Sequence, residues 1–262
     1  MGDVLGTSPR VAIVIPTLGN RSKYLEECIR SVKDSQGTYL VVISPDSLIL
    51  DPELAKLVDQ FLLEEGVGLA TAINQAAFSL PPTIEYFNWL GDDDLLAFNS
   101  TEISMGIFDD NPGASGVYGM CEYINSKGSR LGVNSSGTWA KTLIRFGPDL
   151  IPSPGSLLSL DAFKQIGGLR TEYNLAFDVD LFIRLQKSGP LIYVPKLLGK
   201  FRWHEDSLTV RSRLVSAREA SRIRRQCLPQ FARFFSIVWE FPIVVLTYLA
   251  GVLVGIRNQR LS

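Results

Sequence analysis

Tyr86-Phe-Asn-Trp-Leu-Gly-Asp-Asp-Asp-Leu95 is the stretch on which the reading of the fold turns. Tyr86 to Leu90 is a short apolar run with aromatic residues, as in a buried strand, and it runs straight into three consecutive acids. Working outward, Val11 to Ile15 is a second apolar run, ended by Pro16, and Leu40 to Ile43 is a third. Between them Leu25, Cys28, Ile29 and Val32 fall at i, i+3, i+4 and i+7, one face of a helix. Asp51 to Leu63 is expected to be helical, with Leu54, Leu57, Val58 and Phe61 on one side. Gly68 to Phe78 is expected to be a helix of small residues. Strands and helices thus alternate through the first hundred or so residues, which predicts an α/β fold: a mostly parallel sheet flanked by helices. In such sheets ligands bind beyond the carboxyl ends of the strands. Thr17, Asp46 and Asp92 to Asp94 all lie at such ends.

The second half is less regular. Val117 to Ile124 and Leu131 to Val133 read as a hairpin around Asn125-Ser-Lys-Gly128. Asp161 to Ile166 reads as a short helix ended by Gly167 and Gly168. Phe177 to Lys187 reads as another helix, followed by a strand from Leu191 to Val194.

Composition narrows the function classes. Apolar residues make up 46% of the chain and charged residues 20%, which excludes a disordered chain. A net charge of -1 supplies no overall basic field, so no nucleic-acid partner is expected. Cys28, Cys121 and Cys227 are scattered, without a CxxC pair, which fits a reducing compartment. The N-terminal MGDVLGTSPR has no apolar run, so no secretory leader is expected there.

The acids carry the chemistry. Three adjacent carboxylates repel one another unless a cation neutralises them. Hard divalent ions such as Mg²⁺ or Mn²⁺ take oxygen ligands and keep substrate phosphates in their shell, so Asp92 to Asp94 suit a bridge from protein to a diphosphate. Asp178 and Asp180 lie two apart at the start of a helix and do not share a face: one is free to point at a site while the other caps or pairs, and Arg184 stands four residues after Asp180. His204, the sole histidine, follows Arg202 and Trp203 and suits a metal ligand or a phosphate contact.

Five segments in this order resemble the family 2 glycosyltransferases, which have the GT-A fold. They are Val11-Ala-Ile-Val-Ile-Pro-Thr17, Gly68-Leu-Ala-Thr-Ala-Ile-Asn-Gln75, Trp89-Leu-Gly-Asp-Asp-Asp-Leu95, Ala176-Phe-Asp-Val-Asp-Leu-Phe-Ile-Arg184 and Phe201-Arg-Trp-His-Glu-Asp-Ser207. The likeness runs from about Val11 to Thr209. It implies an inverting, metal-dependent enzyme that moves a sugar from a nucleotide-sugar donor to an acceptor hydroxyl, on a saccharide or a lipid-linked saccharide. By the same likeness Asp178 is the catalytic base; Thr17, Asp46, Asp92 and Arg202 meet the donor; Asp93, Asp94 and His204 hold Mn²⁺ or Mg²⁺; and Ser153, Gly155 and Ser156 lie in the acceptor loop. Two positions depart from the family: Val42-Ile-Ser-Pro-Asp-Ser47 lacks the usual paired acid before Gly-Ser, and Phe177 stands where an acid usually precedes the base. A polyprenyl-phosphate sugar synthase and a non-catalytic nucleotide-sugar-binding domain are the alternatives. A sugar-nucleotide pyrophosphorylase would need a Gly-rich basic loop after the first strand, which Pro16-Thr-Leu-Gly-Asn-Arg-Ser22 does not match.

The expected division is 1–215, a GT-A domain with a Rossmann-like sheet, and 216–262, basic and hydrophobic helices that associate with a membrane. Phe234 to Ile256 is 23 residues of almost unbroken apolar character. As a helix it would be about 34 Å long, enough for a hydrocarbon core of ~30 Å. Arg222, Arg224, Arg225 and Arg233 precede it, and Arg257 and Arg260 follow, as suits lipid headgroups. Glu240 and Pro242 inside it resist a simple span and leave an interfacial helix open. Gly251 and Gly255 form a GxxxG spacing compatible with a homodimer. The expected location is the cytoplasmic face of a bacterial inner membrane.

Overall fold

A computed structural model describes residues 9–204, except 36, 47 and 136, then 213–228 and the isolated positions 230, 233, 238, 240, 242 and 245. The chain begins with β1 (Val11–Pro16), α1 (Ser22–Lys33) and β2 (Thr38–Ser44). β1 shows why these elements stack into layers. Its side chains alternate between faces, as strand geometry demands. Ala12 and Val14 enter one core, while Val11, Ile13 and Ile15 enter the other with Leu25, Cys28, Ile29 and Val32 of α1. The expected face of α1 is therefore the buried one.

The stretch from Asp51 to Leu63 corrects the sequence reading. Only Pro52–Ala55 is helical (α2), and Gln60–Leu63 forms β3, paired parallel to β2 from Val41↔Gln60 to Ser44↔Leu63. The open edge of β2 overrides the helical spacing, because a buried strand must find partners for its backbone groups. Asp59 seals the junction: its backbone N–H donates to the Leu40 carbonyl at 3.0 Å, and its carboxylate accepts from the Leu40 N–H at 2.7 Å. Phe61 and Leu63 consequently point outward and are exposed.

α3 (Leu69–Ser79) follows Gly68, whose φ of 100° is open to glycine and strained for any L side chain. β4 (Tyr86–Trp89) then inserts beside β1 with parallel register Val11↔Tyr86 to Val14↔Trp89. After β4 come β5 (Leu95–Leu96), α4 (Ser100–Asp110), β6 (Gly116–Asn125), β7 (Arg130–Asn134) and α5 (Ala140–Leu143). A single 3-10 turn, Ser153–Gly155, leads into β8 (Ser156–Ser159), α6 (Leu160–Gln165), α7 (Phe177–Leu185), β9 (Leu191–Trp203) and α8 (Arg213–Cys227). The expected hairpin is present as β6 and β7, and Gly167 and Gly168, both with positive φ, end α6 as expected.

The sheet order is β3-β2-β1-β4-β8-β6-β9-β5, with β7 on β6. β3, β2, β1 and β4 are parallel, as the alternation predicted. Beyond β4 the sheet is mixed: β8 runs antiparallel to both β4 and β6, and β9 runs parallel to β6. β9 is also far longer than the expected Leu191 to Val194. It continues through Trp203 and so carries Arg202 and His204 back to the end of β4. The expected boundary between residues 215 and 216 falls inside α8.

Gly199 shows how closely the second half is packed. A Cβ placed there would lie 2.1 Å from the Pro154 carbonyl oxygen and 2.9 Å from the Gly155 nitrogen. The 3-10 turn thus rests directly on the backbone of β9. Gly199→Ala should force the turn away and destabilise the fold by about 2 kcal/mol, the usual scale for overpacking. A denaturant midpoint equal to wild type would show that the turn moves freely.

Candidate active site

The three acids sit just past β4, and all three are buried. Burial makes their repulsion costly, so each is held by a partner from another strand end. The Thr17 hydroxyl, just past β1, donates to Asp92 Oδ2 at 2.6 Å. Arg21, at the entry to α1, bridges two acids: its Nη1 lies 3.1 Å from Asp92 Oδ1 and 2.5 Å from Asp93 Oδ2. His204 Nε2 is 2.6 Å from Asp93 Oδ2. The Arg202 backbone N–H donates to Asp94 Oδ1 at 2.9 Å. Even so, burial holds the Asp92 carboxyl above the usual range and Asp94 well above it, with the neighbouring acids adding to the shift. Carboxylates in this state gain most from a further cation.

Several expected roles change once the geometry is known. Arg202 is 1% exposed, and its guanidinium braces the turn. Nε donates to the Asp93 carbonyl at 2.9 Å, Nη2 pairs with Glu27 at 2.6 Å, and the group lies over the Tyr24 ring. It therefore supports the acids from beneath, which corrects its assignment as a donor-binding residue. Asp46 is exposed just past β2 and is not among the residues bonded to the acidic cluster. Of the three serine-loop residues, only Ser153 faces the second acid site. Ser156 Oγ donates to the Ser153 carbonyl at 2.8 Å, and Gly155 is packed against Met120 and Pro152, so both shape the turn.

Asp178 lies in the first turn of α7, partly accessible, with Ser153 Oγ donating to its Oδ2 at 3.4 Å and the Val179 N–H to its Oδ1 at 2.9 Å. Its surroundings push the carboxyl up to about 6, chiefly through burial. Asp180 is the partner acid expected for pairing: it accepts from Arg184 Nε at 2.6 Å, while Arg184 also ties the Ile166 and Gly168 carbonyls. Asp149, close to Asp178, is pushed up to about 8 by burial and by the Asp178 charge.

Three residues escaped the sequence reading. Arg21 lies in a loop without periodicity. Asp149 stands alone in an irregular segment. Asn88 had a visible signal, a polar residue in an apolar strand, and the structure explains it. Fully buried in β4, its amide donates to the Ser153 carbonyl at 2.8 Å, and its Oδ1 lies 3.4 Å from Ser156 Oγ. A chain of hydrogen bonds therefore runs from the strand that carries the acidic cluster, through Asn88 and Ser153, to Asp178.

Solved structures share this arrangement of elements. A mannosyltransferase from Pyrobaculum calidifontis, in complex with GDP-Man and Mn²⁺, superposes with a TM-score of 0.64 at 14% identity, over 94% of this chain and 76% of that one. S. aureus TarS 1-349 in complex with UDP-GlcNAc gives 0.60 at 12% identity, over 87% and 73%. The fold is GT-A-like. Among curated sequences, an uncharacterized glycosyltransferase of Rickettsia felis is 26% identical over 216 residues, 76% of this chain and 35% of that protein. One of Rickettsia conorii is 24% identical over 214 residues, 75% and 34%. The chain thus spans about a third of the length of these relatives. No family model matches it.

Asp92, Asp93 and His204 offer the oxygen and nitrogen donors that Mn²⁺ or Mg²⁺ accept. However, Asp93 and His204 are bonded to each other, and among the described residues no three His, Cys, Asp or Glu side chains form a set that could hold an ion. The cationic partner of Asp92 and Asp93 is Arg21. Arg21→Leu should lower stability in chelator by about 2 kcal/mol, the scale of a lost charged hydrogen bond. Millimolar Mn²⁺ should recover much of that loss, more than it adds to wild type. A melting temperature for Arg21→Leu that is insensitive to Mn²⁺ would argue against a cation site here.

Proposed function

We propose that the chain is an inverting, metal-dependent glycosyltransferase that moves a sugar from a nucleotide-sugar donor to an acceptor hydroxyl. The observation that carries this reading is the coupling of the acidic cluster to Asp178 through Asn88 and Ser153. One site suits the charge of a diphosphate and its cation, the other suits a base, and the link fixes them relative to each other. The GT-A-like fold and the likeness to glycosyltransferases support it.

In this reading Asp93 or Asp94, with His204, would hold a divalent ion, which would supply charge stabilisation to the leaving diphosphate. Thr17 and Arg21 are the residues of the β1 end that meet the donor phosphates. Asp178 takes the proton from the acceptor hydroxyl. The new bond forms between that oxygen and the anomeric carbon, the bond from that carbon to the phosphate oxygen breaks, and the nucleoside diphosphate leaves. A single displacement of this kind inverts the anomeric centre. A base pushed up to about 6 is well matched to the task near neutral pH, because it is ionised yet more basic than an ordinary carboxylate.

Asp178→Asn should reduce transfer by on the order of 10²-fold or more, while a nucleotide sugar still raises the melting temperature. In wild type, kcat/KM should fall as pH drops through about 6, since protonation of Asp178 removes the base. Transfer by Asp178→Asn at the wild-type rate would overturn the base assignment.

We also propose that the C-terminal segment attaches the enzyme to the cytoplasmic face of a bacterial inner membrane, where a lipid-linked saccharide acceptor resides, and that it permits a homodimer. Phe234 to Ile256 lies mostly outside the described residues, and among those described no helix is long and apolar enough to cross a membrane. The flanking arginines are not equivalent. Arg224 is buried and donates to the Ile144 carbonyl at 3.1 Å, and Arg225 pairs with Glu240 at 2.6 Å, whereas Arg222 is exposed. Pairing of Glu240 with Arg225 of α8 supports an interfacial attachment over a simple span. The full chain should sediment with membranes at high salt and be released by detergent, while a chain ending near Pro229 should not sediment. Recovery of both in the high-salt supernatant would remove the membrane proposal.

A further inference from the structure

α7 begins without a cap of its own. Its flanking residue is Ala176, which has no side chain to accept a hydrogen bond, and the residues before it, Tyr173 to Leu175, form a loop rather than a regular element. The loop's backbone N–H groups still need acceptors. They find them on another helix. Glu219 of α8 accepts from the Asn174 N–H at 3.0 Å through Oε1, and from the Leu175 and Ala176 N–H groups at 2.7 Å each through Oε2. A carboxylate that accepts three short backbone bonds makes strong, charge-assisted contacts and fixes the loop in direction as well as distance.

The same helix is stitched in at two further points. Tyr173 Oη donates to Gln226 Oε1 at 2.8 Å, and Arg224 Nε donates to the Ile144 carbonyl. α8 therefore grips the loop before α7 along its length, from Glu219 to Gln226. Asp178 stands two residues past the last of the three gripped N–H groups. Its position against Ser153 depends on where the first turn of α7 begins.

We propose that Glu219 is a positioning residue for Asp178: by holding residues 174–176, it sets the start of α7 and hence the place of the base beside Ser153. The proposal rests on the reading of Asp178 as the base. It makes α8 a working part of the catalytic unit.

Two measurements on the full chain test this. Glu219→Gln keeps the shape but turns one accepting oxygen into a donor. Amide hydrogen exchange at 174–176 should become at least about tenfold faster, since lost hydrogen bonds to a charged group weaken local protection by that order. Transfer assayed with UDP-GlcNAc and with GDP-mannose should show kcat reduced by about tenfold or more with donor KM little changed, because a 1 Å misplacement of a catalytic group costs on the order of 10²-fold. In the Asp178→Asn background the same change should add nothing further, as expected for residues acting through one group. Unchanged exchange at 174–176 would overturn the clamp, as would an equal loss of activity in both backgrounds. If Asp178→Asn alone proved silent, the base reading would fail, and the exchange result would still decide whether Glu219 holds the loop.

Discussion

Three like charges side by side at the end of a buried strand are the constraint around which this molecule is arranged. Asp92, Asp93 and Asp94 repel one another, and burial deprives them of the water that would screen the repulsion. Their stability comes from groups brought in by distant parts of the chain: Thr17 and Arg21 from the end of β1, the Arg202 backbone and His204 from the end of β9. The requirement explains why the ends of β1, β4 and β9 converge. It also explains a fully buried arginine. Arg202 bonds to the carbonyl of Asp93 and pairs with Glu27 of α1, so it locks the acidic turn to the helix behind it.

The second half of the molecule is organised from the same strand. Asn88 projects from β4 to the Ser153 turn, and that turn lies so close to β9 that only glycine fits at position 199. Ser153 then touches Asp178. Burial in such a place pushes the Asp178 carboxyl up to about 6. The Asp149 carboxyl, itself pushed up to about 8, and the Arg224 guanidinium stand near it from two other segments. The balance of these charges is a property of the assembled site and belongs to no one element.

Much of the N-terminal half was legible in the chain itself. β1, β2 and β4 are runs of apolar side chains, because a strand covered on both faces has no polar side. The buried face of α1 follows from a 3.6-residue period, and the glycines after α6 mark its end because only they take positive φ without strain. The three acids and Asp178 stood out through local context: charge where a strand ends, and charge where a helix starts.

What the chain did not disclose were features decided by partners far away in sequence. β3 is a strand because β2 leaves an open edge beside it, and its own spacing points to a helix. Arg21 became the counter-ion of Asp92 and Asp93 through a contact spanning about seventy residues. Arg202, expected to meet the donor, braces the acidic turn, and Ser156 and Gly155 shape the turn beside β9. Side-chain type and local period depend on neighbours within a few residues, so the sequence determined the strands, the helices and the identity of the acids. Which groups meet, and which remain open to a ligand, depends on sheet order and on the long β9. Those contacts form only when the tertiary structure closes, and it alone decided them.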